Sequence, residues 1–120
     1  MQIGKSSEDY LEAILVIQQK KGYVRSVDIA HYMNVSKPSV TRAIHELSKM
    51  ACAKKQEDGY IILTDQGRMI AEQIYERHCF FRKHLLAAGV DPETADQEAC
   101  SMEHGISSES FQKLKEATEI

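Results

Sequence analysis

Cys100, Glu103 and His104 fall within the run Asp96-Gln97-Glu98-Ala99-Cys100-Ser101-Met102-Glu103-His104. The run reads as helix, and on a helix positions i, i+3 and i+4 share a face. A thiolate, a carboxylate and an imidazole then point the same way. Ligands of such mixed hardness suit Fe(II), Co(II), Zn(II) or Mn(II) rather than Ca(II). The same spacing also occurs on a plain solvated face, with a histidine complementing the dipole at a helix C-terminus. The surrounding elements must decide between the two.

Upstream, Ser6-Ser7-Glu8-Asp9 offers a capping hydroxyl followed by acids, a helix start. Tyr10, Leu11, Ala13, Ile14, Leu15 and Ile17 give that helix a broad apolar face, and Gly22 after Lys20-Lys21 ends it. Asp9 and Glu12, three apart, project from its first turns on one face. Ser26 is expected to cap a second helix, Val27 to Met33, with Val27, Ala30 and Met33 inward. After the turn Asn34-Val35-Ser36, Ser36 caps a third helix with Pro38 in its first turn. There Val40, Ile44 and Leu47 mark the buried stripe, opposite Lys37, Ser39, Thr41, Arg42 and His45. Gln56-Glu57-Asp58-Gly59 between β-prone runs predicts a hairpin. Thr64 caps a long helix, about Asp65 to Ala88, closed by Gly89. Asp91 and Pro92 open another that is expected to reach His104 and stop at Gly105. Ser107 starts a last helix whose Phe111 and Leu114 share an apolar face.

The order helix, helix, turn, helix, hairpin is a winged helix-turn-helix, so the fold class is mainly α with a small β-hairpin wing. Its third helix would enter the major groove of double-stranded DNA by its N-terminal end. Ser36, Lys37, Pro38, Ser39 and Thr41 can approach phosphates and thymine methyls there, and Arg42 can reach a guanine edge or a phosphate. Lys54 and Lys55 on the hairpin would grip the backbone. Residues 1–64 form the DNA-binding domain in this reading and residues 65–120 a helical metal-binding and dimerisation domain.

Composition fits a soluble globular protein, with 42% hydrophobic and 28% charged residues. The polar start Met1-Gln2-Ile3-Gly4-Lys5 is not a signal peptide and no run is long and apolar enough for a membrane, so a cytoplasmic location with no membrane partner is expected. Three cysteines without a close pair argue for reduced thiols. The net charge of −3 is unevenly spread. Residues 1–64 hold nine basic against seven acidic residues, +2, and the remainder six against eleven, −5. Cys52 reads as a small core residue and Cys79 as a packed thiol. Helical neighbours point about 100° apart, so Cys79 and His78 are not expected to ligate one ion.

The segments Ser7-Glu8-Asp9-Tyr10-Leu11-Glu12-Ala13-Ile14, Val27-Asp28-Ile29-Ala30, Ser39-Val40-Thr41 and Leu63-Thr64-Asp65-Gln66-Gly67 resemble the diphtheria-toxin-repressor and manganese-transport-regulator family. The likeness continues through Arg77-His78, then Ala87, Gly89, Val90 and Asp91, and Glu103-His104, in a short form without the family's SH3-like domain. It implies a homodimeric repressor with Fe(II) or Mn(II) as co-repressor at palindromic operator DNA, commonly of metal-uptake genes. Carried over residue by residue, the first-helix ligands fall on Asp9 and Glu12, as in the manganese branch, and the long-helix histidine on His78. The helical cluster falls on Cys100, Glu103 and His104. Cys100 agrees with the iron branch, where the manganese branch has glutamate, so the ligand set is a hybrid. Asp9, Cys100, Glu103 and His104 would make one site; Glu12, His78 and a bridging Glu103 would make a second. The iron branch's ancillary site wants an acid four residues after the histidine, where this chain has Arg82. The thiolate shifts preference from Mn(II) toward Fe(II) and admits Zn(II), Co(II) or Cd(II) in vitro.

Two other readings compete. A winged-helix repressor sensing oxidants through Cys79 or Cys100 would need a low-pKa thiol. A metallohydrolase would need a general base outside the ligand set and room for a small-molecule substrate; none is found, so the chain is not read as an enzyme.

Overall fold

The computed structural model describes residues 3–118; the polar Met1-Gln2 opening lies outside them. The chain divides into two compact units, Met1–Gln73 and Ile74–Ile120. Among the described residues no helix is long and apolar enough to cross a membrane.

The first unit begins with α1 (Lys5–Lys21), whose N-cap is Gly4, not Ser6 or Ser7. Tyr10, Leu11 and Ala13 to Ile17 are all buried, so α1 presents more than one apolar stripe. It packs on α2 (Ser26–Met33), α3 (Lys37–Lys49) and the hairpin. Gly22 closes α1 at φ 85°, in the left-handed region that glycine enters without a Cβ penalty.

Ser26 is the first residue of α2 rather than its cap. Arg25 takes the cap position, and its N–H donates to Asp28 Oδ2 at 2.9 Å. Lys21 Nζ donates to the other Asp28 oxygen at 2.6 Å, joining α1 to α2. This Lys21 bond holds the Asp28 carboxyl below the usual carboxylate range. The inward residue of α2 is Ile29, fully buried, whereas Val27 is half exposed. An eight-residue helix carries too few apolar positions for its period to single out one face.

α3 follows the sequence expectation closely. Ser36 Oγ accepts from Ser39 N–H at 3.3 Å, Pro38 stands in the first turn, and Val40, Ile44 and Leu47 are buried. Ala51 then takes φ 58°, a left-handed conformation that costs a residue with a Cβ roughly 1–2 kcal/mol. Ala51→Gly is therefore expected to stabilise the protein by about 1 kcal/mol, read as a higher urea midpoint at an unchanged slope.

The wing is an antiparallel pair, β1 (Ala53–Lys55) and β2 (Ile61–Leu63), in register Ala53↔Leu63, Lys54↔Ile62, Lys55↔Ile61. Gly59 turns it at φ 90°. Ile61 N–H donates to the Val24 carbonyl at 2.8 Å, tying the wing to the segment before α2. α4 (Asp65–Ala87) starts under Thr64, whose Oγ1 accepts from Gly67 N–H at 3.0 Å and donates to the Ala51 carbonyl at 2.6 Å. Met69, counted among the apolar positions of this helix, is 56% exposed.

The second unit holds the rest of α4, α5 (Pro92–Met102) and α6 (Ser108–Thr118). Asp91 caps α5 by accepting from Thr94 N–H at 3.1 Å, which also lowers its pKa. Ser107 Oγ likewise accepts from Ser110 N–H at 3.1 Å. Phe81, Ala99 and Phe111 form the core, with Phe80, Leu85 and Ile106 against them. Each buried phenylalanine contributes on the order of 1.5–3 kcal/mol, and edge-on ring contacts such as Phe80–Phe111 at 5.2 Å add to this. Because Phe80 and Phe81 take the inward positions, Cys79 is exposed, not packed as its sequence suggests.

Candidate metal centre and nucleic-acid interface

α5 ends at Met102, two residues before the expected His104. Glu103 is its C-cap, and Gly105 N–H turns back to the Met102 carbonyl at 3.1 Å. The turn is clamped by Arg77, one residue before His78. Arg77 Nη1 donates to the carbonyls of Glu103 at 3.2 Å and Ile106 at 2.8 Å, and Nη2 to Ser108 Oγ at 3.0 Å. Its guanidinium also lies 5.7 Å from the Phe111 ring centre. Sequence reading had no signal for this role, since a side chain returning to a turn 26 residues away exists only in the fold.

The clamp presents Glu103 to α4. Its carboxylate is fully buried, with Oε1 3.2 Å from His78 Nδ1. Oε2 is also buried and has no hydrogen-bond partner among the described residues. A carboxylate oxygen out of water without a donor is costly, and a divalent cation would satisfy it. Cys100 in α5 and His104 in the turn after it bring their ligand atoms within 4.8 Å of each other. Both are half-buried. The second unit thus sorts its predicted ligands into two pairs, His78 with Glu103 and Cys100 with His104. In the first unit Asp9 and Glu12 are half-buried on α1.

His78 has a second carboxylate neighbour. Its Nε2 lies 3.6 Å from Asp96 Oδ1, to which Arg82 Nε donates at 2.5 Å.

The α3 face opposite the stripe is open. Lys37, Pro38, Thr41, Arg42 and His45 are exposed and Ser39 is partly so. Ser36 and Ser39 hydroxyls lie 2.8 Å apart, and Arg42 Nη2 donates to Ser39 Oγ at 3.4 Å. Lys54 and Lys55 are exposed on β1. Arg25 Nη2 donates to Tyr60 Oη at 3.0 Å, a link between α2 and the wing that the sequence did not signal.

Residues 2–65 match the family described as iron dependent repressor, N-terminal DNA binding domain. Residues 64–119 match iron dependent repressor, metal binding and dimerisation domain. The chain is 32% identical over 108 residues to the transcriptional regulator MntR of Escherichia coli O6:H1, covering 90% of this chain and 70% of MntR. It is similar to the crystal structure of T. acidophilum IdeR at TM-score 0.79 and 31% identity, covering all of this chain and 56% of IdeR. It is also similar to ScaR with bound Zn2+ at TM-score 0.75 and 27% identity, covering 92% of this chain and 52% of ScaR. The chain therefore spans just over half the length of those two solved chains. With both family segments matched and the winged helix in place, the chain belongs to the iron-dependent repressor family of metal-dependent transcriptional regulators.

Proposed function

We propose that this chain is a metal-dependent repressor in which Fe(II) or Mn(II) favours a homodimer geometry that binds palindromic operator DNA, with metal-homeostasis genes as targets. In this reading residues 1–64 read DNA and residues 65–120 hold metal and dimerise. The carrying observation is the buried Glu103 carboxylate, which meets His78 through one oxygen and leaves the other without a donor. We propose that Glu12 completes the ligand set of His78 and Glu103, that Asp9 completes that of Cys100 and His104, and that Glu103 bridges the two. A bound divalent ion supplies the positive charge that offsets these carboxylates and the thiolate. Asp9 and Glu12 belong to the helix that packs against α3, so ligation by them biases the reading head. Metal then selects the DNA-competent geometry by differential affinity, as a population shift requires.

Cys100 tilts preference toward Fe(II) over Mn(II), with Zn(II), Co(II) and Cd(II) accepted in vitro. Anaerobic titration of metal-free protein with Fe(II), Mn(II), Co(II) and Zn(II), beside a Cys100→Ala control, tests the assignment. Two ions per chain, one of them governed by Cys100, are expected; no specific binding contradicts the reading.

At the DNA face, Ser36, Lys37, Pro38, Ser39, Thr41 and Arg42 read the major groove, while Lys54 and Lys55 hold phosphates. Lys54→Ala and Lys55→Ala in metal-loaded protein should weaken binding equally across operator sequences. Each lysine removed from a phosphate should flatten the slope of log K against log salt by about 0.9. An unchanged slope would remove the wing from the interface.

A further inference from the structure

His78 is held between two carboxylates, Glu103 facing Nδ1 and Asp96 facing Nε2. Asp96 stands on α5 one turn before Cys100, and Arg82 on α4 stands one turn after His78. The Arg82 guanidinium fixes the Asp96 oxygen that faces the imidazole. An imidazole that ligates a metal through one nitrogen carries its proton on the other, and a carboxylate at that proton fixes ring orientation and raises ligand basicity.

From this arrangement we infer that Asp96 is a positioning residue for the His78 metal ligand. In the metal-free protein Nδ1 carries the ring proton toward Glu103 Oε1, 3.2 Å away; an ion taking Nδ1 would shift that proton to Nε2, where Asp96, 3.6 Å away and kept in place by Arg82, would receive it. Arg82 thus has a role other than ligation: it orients the carboxylate behind the ligand. The inference rests on the proposed metal centre and adds a residue that ligates nothing. It also separates the two ligand pairs, since Asp96 faces His78, whereas Cys100 and His104 pair with each other.

The test uses Zn(II), which is diamagnetic, on the whole chain with 15N-labelled histidine. Long-range proton–nitrogen NMR of the loaded wild type should show His78 ligating through Nδ1 and protonated at Nε2. Asp96→Ala should weaken the ion dependent on His78 by about 10-fold, the lower end of the range for such outer carboxylates. The ion dependent on Cys100 should stay within about two-fold. Arg82→Gln, which keeps Asp96 but frees it, should give a smaller loss in the same site only. Wild type binding two ions with Asp96→Ala unchanged in both, or His78 ligating through Nε2, overturns the positioning role while leaving the metal centre standing. A wild type whose zinc affinity is indifferent to His78→Ala overturns both.

Discussion

Glu103→Gln should abolish most of the stabilisation that metal gives the protein while changing the metal-free protein little. The wild type at an ion concentration 100 times its Kd should gain about 2.7 kcal/mol, roughly 10 °C in Tm for a domain of this size. Glutamine retains the shape of the side chain and one oxygen for His78, but loses the charge that a divalent ion needs at the buried carboxylate. A 100-fold weaker site at the same ion concentration leaves only about 0.4 kcal/mol. Melting curves of both proteins, with and without Mn(II) or anaerobic Fe(II), check this. Equal metal-induced shifts would mean that Glu103 is not a ligand.

Gly67→Ala should destabilise the protein in every condition, with or without metal. Glycine two residues into a helix looks like a defect, since alanine is ordinarily better there by about 1 kcal/mol. The position is closed by backbone instead. A Cβ on Gly67 would stand 1.8 Å from the Cys52 carbonyl oxygen, which also accepts from Thr64 N–H at 3.0 Å. Neither backbone group can yield without loosening the junction of wing and α4, so a net loss of roughly 3 kcal/mol is expected, at the upper end for overpacking. A urea midpoint equal to or above wild type would show that the close approach is not maintained in solution.

Much of the reading unit was legible because local chemistry and tertiary demand coincide. The Ser36 cap, Pro38 and the Val40, Ile44, Leu47 stripe all specify one helix, and Asp58-Gly59 specifies one turn. The early end of α5 was not legible. Spacing reports which residues would share a face if the helix continued, whereas Gly105 and the distant Arg77 clamp decide that it stops at Met102. That stop turns Glu103 toward His78, a pairing across 25 residues that no local pattern contains. Family resemblance implies both residues as ligands, and the buried, half-satisfied carboxylate supports that proposal. The pairing of Arg82 with Asp96 escaped because each is an ordinary exposed charge until the helices meet. Val27 and Ile29 were misjudged because α2 is too short for its period to speak.

The central claim is that metal controls DNA affinity. The direct test is the affinity of the full chain for a duplex selected from a random pool by metal-loaded protein. It should be measured at one fixed salt concentration with chelator, with Mn(II), and anaerobically with Fe(II). Loaded protein should bind tighter by on the order of 10–150-fold, the usual span of coupling between two sites. Equal affinity with and without metal would contradict metal control and leave a winged helix that answers to some other signal.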